Sequence, residues 1–191
     1  MLILLASLTV PAALALGGDE GELMSVMSGL AKGLRPRVAF VEERQSVLLN
    51  RPLIIRGELM FEPPNTLRRS SFEPSEETLH VEGSTLTLER ANGETVSLDL
   101  NREPVAQALV EAFRGTLSGD LERLRRHYRV LFSGSEMEWR IELTPRLESV
   151  SKAIESIKIE GREADVGTIV VLRADGEQSV MHLQPIGGTA Q

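Results

Sequence analysis

The sequence has no cysteine, which excludes a disulfide framework, a lipid-modified N-terminal cysteine and cysteine catalysis. Only three histidines are present, and His80, His127 and His182 stand at no spacing typical of a metal site. The strings G-x-S-x-G, P-loop and G-x-G-x-x-G are also missing. We therefore predict no catalytic residue, no metal and no cofactor, and expect a protein that is not an enzyme. The alternative is an enzyme whose site assembles from residues distant in sequence.

Positive charge is scarcer than negative charge, with 21 Lys and Arg against 28 Asp and Glu, and the net charge of -7 argues against a nucleic-acid partner. The exception is a short basic run formed by Arg123, Arg125, Arg126 and Arg129. A patch of this kind suits anionic lipid head groups or an acidic protein surface. We predict a partner-docking role for these four arginines, and a solvated helix face is the alternative interpretation.

Charge is missing altogether from the first eighteen residues, which form an apolar stretch broken by Pro11 and followed by the small-x-small sequence Ala13-Leu14-Ala15. This pattern predicts a signal peptide over residues 1–15, with cleavage after Ala15 and an outer limit at residue 18. An uncleaved membrane anchor is the alternative, but it needs about 20 unbroken apolar residues. No Lys or Arg precedes the apolar run, which leaves a start upstream of Met1 open. We expect an exported protein.

After the N-terminus the chain begins with one amphipathic segment and then changes to a two-residue period. Apolar residues at helical spacing predict a helix over residues 19–34. From Arg37 the alternation is typical of half-buried strands, and it is clearest where Leu53, Ile55, Leu59 and Phe61 share one face. Gly and Pro punctuate the predicted strands of this half, which begin at Arg37 and continue at 53–62, 66–72, 78–82, 85–90 and 94–100.

A helical insertion divides the strands into two groups. Its apolar stripe includes Leu109 and Phe113, and we predict Gly115 as its C-cap and a second short helix that starts near Asp120. Strands are predicted again at 128–132, 137–143, 153–160, 168–174 and 177–184. The total of about nine to eleven strands with two or three helices predicts a mainly β (α+β) fold, a large curved antiparallel sheet or barrel wrapped on helices. One domain over residues 19–186 accounts for the rest of the chain.

The apolar stripes of these strands and of the inserted helix form the candidate binding surface. Plain core packing explains buried aliphatic residues individually. Aromatic residues make up only 4% of the chain, which favours an aliphatic lining suited to varied acyl chains over a shaped small-molecule pocket. The predicted apolar ligand-binding residues are Phe40, Ile55, Leu59, Phe61, Leu86, Leu88, Leu109, Phe113, Trp139 and Ile141.

The succession of elements resembles the LolA family of periplasmic lipoprotein carriers, and in particular its divergent members. The resemblance spans about residues 20–185, and its specificity lies in the order of motifs rather than in any one of them. The residues that carry it are Phe40-Val41-Glu42, Arg56-Gly57-Glu58-Leu59 before Pro63-Pro64, the segment 79–88 with its glycine turn, Leu117-Ser118-Gly119-Asp120 with Leu121 and Leu124, Trp139-Arg140-Ile141-Glu142-Leu143-Thr144-Pro145, and the closing hairpin at Asp175-Gly176.

The resemblance implies an incomplete β-barrel of about eleven antiparallel strands, closed on one side by helices around an apolar cavity that receives acyl chains. It also implies a soluble, monomeric protein of the Gram-negative periplasm. Such a carrier takes a lipidated protein or other lipid cargo from an inner-membrane exporter and delivers it to an outer-membrane acceptor. The alternative function is an envelope interaction module, an accessory subunit of a lipid or pigment exporter with a filled interior.

The sequence departs from the founding carriers at two places. Those carriers have an arginine just before the proline that follows the Gly-x-Leu strand, and it ties the helical lid to the barrel, whereas this chain has Phe61-Glu62-Pro63-Pro64. The resemblance therefore implies a different latch or none. Aromatic residues of the founding carriers are replaced here by Leu67-Arg68-Arg69, and a glycolipid, a fatty-acyl product or a polyene pigment becomes as plausible a cargo as a lipoprotein.

Overall fold

The computed structural model describes residues 18–45 and 51–186. The predicted signal peptide lies outside the described residues. Within the described ranges, segments of alternating apolar and polar side chains form eleven strands. Their bounds are β1 Arg37–Gln45, β2 Leu53–Glu62, β3 Thr66–Glu73, β4 Glu77–Glu82, β5 Thr85–Arg90, β6 Thr95–Asp99, β7 Tyr128–Ser135, β8 Glu138–Pro145, β9 Ile154–Arg162, β10 Asp165–Arg173 and β11 Gln178–Pro185.

All eleven strands belong to one curved antiparallel sheet with the order β6-β5-β4-β3-β2-β1-β11-β10-β9-β8-β7. Nine of its ten neighbouring pairs join strands that are consecutive in sequence, and only the β1–β11 pair joins the two ends of the chain. The outermost strands β6 and β7 are not paired with each other, so the sheet stays open. The predicted mainly β fold with a large curved antiparallel sheet is therefore confirmed.

One face of the sheet is buried, and the buried residues of neighbouring strands lie opposite one another. Phe40 on β1 lies opposite Gly57 on β2 and Leu183 on β11, and all three are buried. Since residues directly opposite in an antiparallel pair share a face, the inward positions of one strand determine those of its neighbours. This inward face is covered by the helices, and the hydrophobic core lies between the two layers.

Four α-helices complete the fold of the described residues: α1 Gly18–Lys32, α2 Pro104–Ser118, α3 Leu121–His127 and α4 Glu148–Ser151. A 3₁₀ turn over Leu100–Arg102 precedes α2. Helix α1 contacts α2 and β7, α3 contacts α2 and β7, and α4 contacts α2, β8 and β9. The predictions of a first helix, an inserted helix and a short helix near Asp120 are confirmed, whereas α4 was not predicted.

The prediction that Gly115 caps the inserted helix is wrong. Helix α2 continues to Ser118, and Gly119, at φ 64°, is the left-handed residue that ends it. A Cβ on Gly119 would lie 2.1 Å from the carbonyl oxygen of Met27 on α1, so only glycine fits there. Gly115 instead packs against Leu124 of α3, where an added Cβ would meet the Leu124 side chain at 2.6 Å. Both glycines bring helices close together.

Candidate functional site

A cavity of about 620 Å³ lies between the inward face of the sheet and helix α2. Its volume is within the range of small-molecule sites and is several times that of the ~150 Å³ apolar cavities that accept benzene. Most of its wall is aliphatic, and its polar residues come from the C-terminal part of β1, the end of β10, the β10–β11 turn, the start of β11 and the middle of β3. The lining residues are Glu42, Arg44, Gln45, Leu53, Leu59, Leu67, Arg69, Leu79, Leu109, Val110, Phe113, Ile154, Ile169, Val171, Arg173, Glu177, Gln178, Ser179 and Met181.

Three of the ten predicted apolar ligand-binding residues line this cavity. Leu59 is a buried residue of β2, and Leu109 and Phe113 are partly buried residues of α2, one helical turn apart. Since α2 crosses the sheet here, it supplies one wall of the cavity and the strands supply the other. The binding role of these residues stays a prediction.

The other seven predicted residues lie elsewhere on the inward face. Trp139 is buried in the core, where its ring packs on Gly161 and its indole Nε1 donates a hydrogen bond to the carbonyl oxygen of Glu163 at 3.0 Å. The rest do not belong to the described cavity lining; five of them are buried, and Leu88 is half-buried. They are Phe40, Ile55, Phe61, Leu86, Leu88 and Ile141.

A buried carboxylate forms the centre of the polar end of the cavity. The Glu42 side chain is 4% exposed and accepts hydrogen bonds from three partners. Arg44 Nε donates to its Oε1 at 2.6 Å, the hydroxyl of Ser179 donates to the same oxygen at 2.6 Å, and Arg69 donates to Oε2. The four residues, which we call the Glu42 cluster, come from β1, β3 and β11 and join the two halves of the sheet.

Packing around Phe40 determines where Arg69 lies. The guanidinium carbon of Arg69 is 4.7 Å from the centre of the Phe40 ring, a cation–π contact. The Phe40 ring in turn lies across Gly57, where a Cβ would approach the ring at 2.8 Å and the carbonyl oxygen of Ser70 at 2.0 Å. The absence of a side chain at Gly57 thus lets Phe40 lie under Arg69 and hold it against Glu42.

Electrostatics keep Glu42 ionised. Burial by itself raises the pKa of this carboxyl, since the charged form loses hydration. Hydrogen bonds from Arg44 and Ser179 and the positive charges of Arg69 and Arg44 outweigh burial, so that the pKa of Glu42 lies below its ordinary value of 4.5. The cluster therefore carries two guanidinium charges and one carboxylate charge at neutral pH.

Sequence reasoning missed the Glu42 cluster, although the alternation contains the necessary signal. Glu42 is two residues after Phe40 and Arg69 is two residues after Leu67, so both continue an inward face. Glu42 was singled out only as the end of the Phe40-Val41-Glu42 motif, and Arg69 only within Leu67-Arg68-Arg69, where the chain departs from the founding carriers. A charged residue in phase with an apolar face is the pattern that identifies them.

The predicted docking arginines divide into two engaged and two exposed residues. Arg123 is 14% exposed in its side chain, and Arg125 pairs with Glu20 of α1 at 2.6 Å. That pairing raises the pKa of Arg125 through its hydrogen bond to Glu20. Arg126 on α3 and Arg129 on β7 are exposed. A docking role for the four stays a prediction.

Two arginines of the helical layer hold the turn between β2 and β3. Arg123 donates to the carbonyl oxygen of Pro64 at 3.0 Å and to Oδ1 of Asn65 at 3.0 Å, and Arg114 donates to the carbonyl oxygen of Asn65. Arg114 is buried and also pairs with Glu111 at 3.1 Å. The resemblance implied a different latch or none, and these contacts tie α2 and α3 to the sheet with arginines that come from the helices.

A second, smaller cavity of about 320 Å³ lies near the C-terminal end of α1. Leu30 and Leu34 form part of its wall, and the Arg35–Asp165 ion pair at 2.6 Å lies at its edge. Leu117 of α2 also lines it, four residues beyond Phe113 of the larger cavity. Helix α2 thus borders both cavities.

Neither a group of metal ligands nor a membrane-spanning helix occurs in the described part of the chain. No set of three or more His, Asp or Glu side chains suited to a metal ion occurs among residues 18–45 and 51–186. Within the same ranges, no helix combines the length and the apolar character needed to cross a bilayer.

The fold and the cavity define a class of binding proteins in which an open curved sheet and a helical layer enclose an apolar space. The family described as "Outer membrane lipoprotein carrier protein LolA-like" matches residues 19–190. This chain therefore belongs to the LolA-like family, whose members are binding and carrier proteins rather than enzymes and are typically periplasmic. None of the curated proteins matches this chain.

Several solved structures are similar to this chain at low sequence identity. A LolA superfamily protein from Nitrosomonas europaea is 13% identical, with 86% of this chain and 92% of that chain covered and a TM-score of 0.47. A putative outer membrane lipoprotein-sorting protein domain from Vibrio parahaemolyticus is 10% identical, with coverage of 87% and 92% and a TM-score of 0.44. The Pseudomonas aeruginosa MucA/MucB complex is 14% identical, with coverage of 87% and 59% and a TM-score of 0.43. The family assignment rests on the family match and not on these likenesses.

Proposed function

We propose that this protein is a periplasmic carrier that holds the acyl chains of a lipoprotein, glycolipid or lipid-like product in its cavity and ferries them from the inner to the outer membrane. In this proposal residues 1–15 are a signal peptide removed on export, and residues 19–186 are the carrier domain. The domain acts as a monomer that receives cargo from an inner-membrane exporter and yields it to an outer-membrane acceptor.

The observation that carries the proposal is the aliphatic cavity beside α2. Each CH₂ group removed from water contributes about 0.8 kcal/mol, so one acyl chain of about 16 carbons gains roughly 12 kcal/mol before the cost of ordering is subtracted. A flexible aliphatic wall accepts chains of different length and saturation, which suits a carrier better than an enzyme. The transfer of a lipid across water needs no bond to form or break.

Helix α2 is the element whose position decides how much cargo fits. Leu109 and Phe113 face the cavity, while Arg114 of the same helix holds the β2–β3 turn. In this proposal a small displacement of α2 away from the sheet enlarges the cavity and leaves the strand pairing intact. Rotation of the Leu109 and Phe113 side chains also makes room for an acyl chain.

Native mass spectrometry of the protein purified from a bacterial periplasm without detergent tests the proposal, together with solvent extraction of bound material. We expect a bound species of lipid mass. Two variants of one cavity residue report on its location: Leu109→Asp places a charge in the cavity, and Leu109→Trp fills it without charge. Both variants should lose the lipid because they remove the apolar space by different means.

Leu131→Asp is the matched control. Leu131 on β7 is 65% exposed and does not belong to the cavity lining, so this variant should retain the lipid. Far-ultraviolet circular dichroism establishes that each variant is folded. A wild-type protein that is free of lipid and stays so when lipid vesicles are supplied would contradict the carrier proposal and favour the envelope interaction module.

A further inference from the structure

The Glu42 cluster places charge where the wall of an acyl-binding cavity would otherwise be apolar. Arg69 lies on the inward face of β3, directly opposite Leu59 of β2 and Leu79 of β4, and both leucines also line the cavity. Glu42 lies opposite Ile55 and Met181. An aliphatic residue at either position would continue the wall without interruption.

Burial of charged side chains at these positions costs free energy, and the fold could be built with apolar residues there. Ions lose hydration when buried, and replacement of a buried ion pair by apolar residues of similar volume is often neutral or stabilising. The Arg69 side chain is 13% exposed and that of Glu42 is 4% exposed, so both are largely withdrawn from water. Pairing with a charged ligand would explain why these residues are charged, in addition to their role in joining the strands.

The cluster also has an excess of positive charge. Arg44 and Arg69 flank one carboxylate, each on a different oxygen of Glu42. Among the described residues Arg44 is paired only with Glu42, through Nε, and its side chain is 50% exposed. Its two terminal nitrogens therefore present the planar fork that binds carboxylate and phosphate groups. Arg44 lies on the lining of the same cavity.

We propose that the cavity selects an anionic amphiphile, whose carboxylate or phosphate head group pairs with Arg44 and Arg69 while its acyl chain lies along the aliphatic wall. Glu42 positions the two arginines and prevents them from separating. Gln178 and Ser179, which line the same end, supply neutral polar groups around the head group. Arg173 and Glu177 of the same lining form an ion pair at 3.6 Å, so the net positive charge at this end comes from the Glu42 cluster. The inference rests on the proposed function, because it assigns the head group of the cargo that the cavity carries.

This inference narrows the cargo class. Acyl chains of a lipoprotein are joined through uncharged amide and ester bonds, which offer the arginines no partner of opposite charge. A fatty acid, or a lipid whose head group is a phosphate, has its anionic group at one end of the acyl chain. The cavity is apolar except at one charged end, and this arrangement fits an anionic lipid better than the acyl chains of a lipoprotein.

Fluorescence titration of the full chain with cis-parinaric acid and with its methyl ester tests the inference. The two probes share one polyene chain and differ in the charge of the head group, so their difference isolates the carboxylate. We expect the acid to bind about tenfold more tightly than the ester. Inorganic phosphate and acetate serve as competitors that have the charge without the chain, and neither should displace the acid.

Arg44→Gln is the central variant, because Glu42 keeps two of its three donors, so we expect the fold to be retained. We expect this variant to bind the acid about tenfold more weakly than the wild type does and to bind the ester with unchanged affinity. Arg56→Gln is the matched control, since Arg56 is an exposed arginine of the neighbouring strand β2 that pairs with Glu73 and is absent from the cavity lining. It should alter neither affinity. The double variant Glu42→Gln/Arg69→Gln removes one charge of each sign and keeps Arg44, so preference for the acid should persist but decrease.

The outcomes separate this inference from the carrier proposal. Equal binding of acid and ester, or an Arg44→Gln variant that keeps its preference for the acid, would overturn the head-group assignment and leave the acyl carrier intact. Displacement of the acid by phosphate or acetate would assign a free-anion site instead of an amphiphile site and would likewise overturn it. Failure of both probes to bind would overturn the carrier proposal and the assignment together.

Discussion

Neutralisation of Glu42 should destabilise the fold strongly at neutral pH. Glu42→Gln leaves Arg69 largely buried and without its carboxylate, while the amide oxygen can still accept one hydrogen bond. Loss of one member of a buried ion pair costs about 3–5 kcal/mol. Because Arg44 is 50% exposed and can recover hydration, we expect the lower end, about 3 kcal/mol. The free energy of unfolding from urea titration measures this loss.

The same loss should depend on pH in a defined direction. The pKa of Glu42 is lowered in the folded protein from its ordinary value of 4.5. A lowered carboxyl pKa adds stability above 4.5, and that stability disappears as the pH falls through the folded value. The difference in unfolding free energy between wild type and Glu42→Gln should therefore be largest at neutral pH and should shrink as the solution becomes more acidic than 4.5.

Glu43→Gln provides the control, since it makes the same substitution at the next residue, on the opposite face of β1. Glu43 accepts a hydrogen bond from Gln45 at 3.1 Å and lies on the more exposed side of the strand, so the expected change is within about 0.5 kcal/mol. Equal losses in the two variants, or a Glu42→Gln deficit that does not shrink in acid, would refute the assignment of Glu42 as a buried ionised group.

Three further predictions follow from the packing and use the same urea titrations. Gly57→Ala should cost about 1–3 kcal/mol or more, because its Cβ would lie 2.0 Å from the Ser70 carbonyl oxygen and 2.8 Å from the Phe40 ring; an unchanged midpoint would contradict this. Arg114→Ala should lower the free energy of unfolding by about 3 kcal/mol, since the carbonyl oxygen of the β2–β3 turn loses its donor. Arg102→Ala is the control, because this side chain is 86% exposed, and it should change the free energy of unfolding by no more than about 0.5 kcal/mol. Tyr128→Phe should leave stability unchanged or raise it by about 1 kcal/mol, because the buried hydroxyl has no hydrogen-bond partner among the described residues; a clear loss would reveal a partner for it.

Much of the sheet could be predicted because alternation is a local property of the chain. Leu53 to Phe61 show which side chains of β2 face inward without knowledge of any neighbour, and Asp175-Gly176 marks the β10–β11 connection from two residues. The same local reasoning failed at Gly115, because a glycine within a helix and a glycine at its end are alike in sequence. The tertiary structure distinguishes them, since Gly115 packs against Leu124 whereas Gly119 has a left-handed backbone and packs against Met27 of α1.

The sequence by itself determined the strands, their inward faces and the absence of cysteine chemistry, since each depends on residues that are near one another or on composition. The tertiary structure decided which inward residues surround a cavity and which fill the core. That division depends on where α2 crosses the sheet, so Leu59 borders the cavity while Trp139 is buried against Gly161. It also depends on the pairing of β1 with β11, which brings Ser179 to Glu42 across 137 residues of chain. No local pattern contains a contact of that separation, because it is the closure of the whole sheet that creates it.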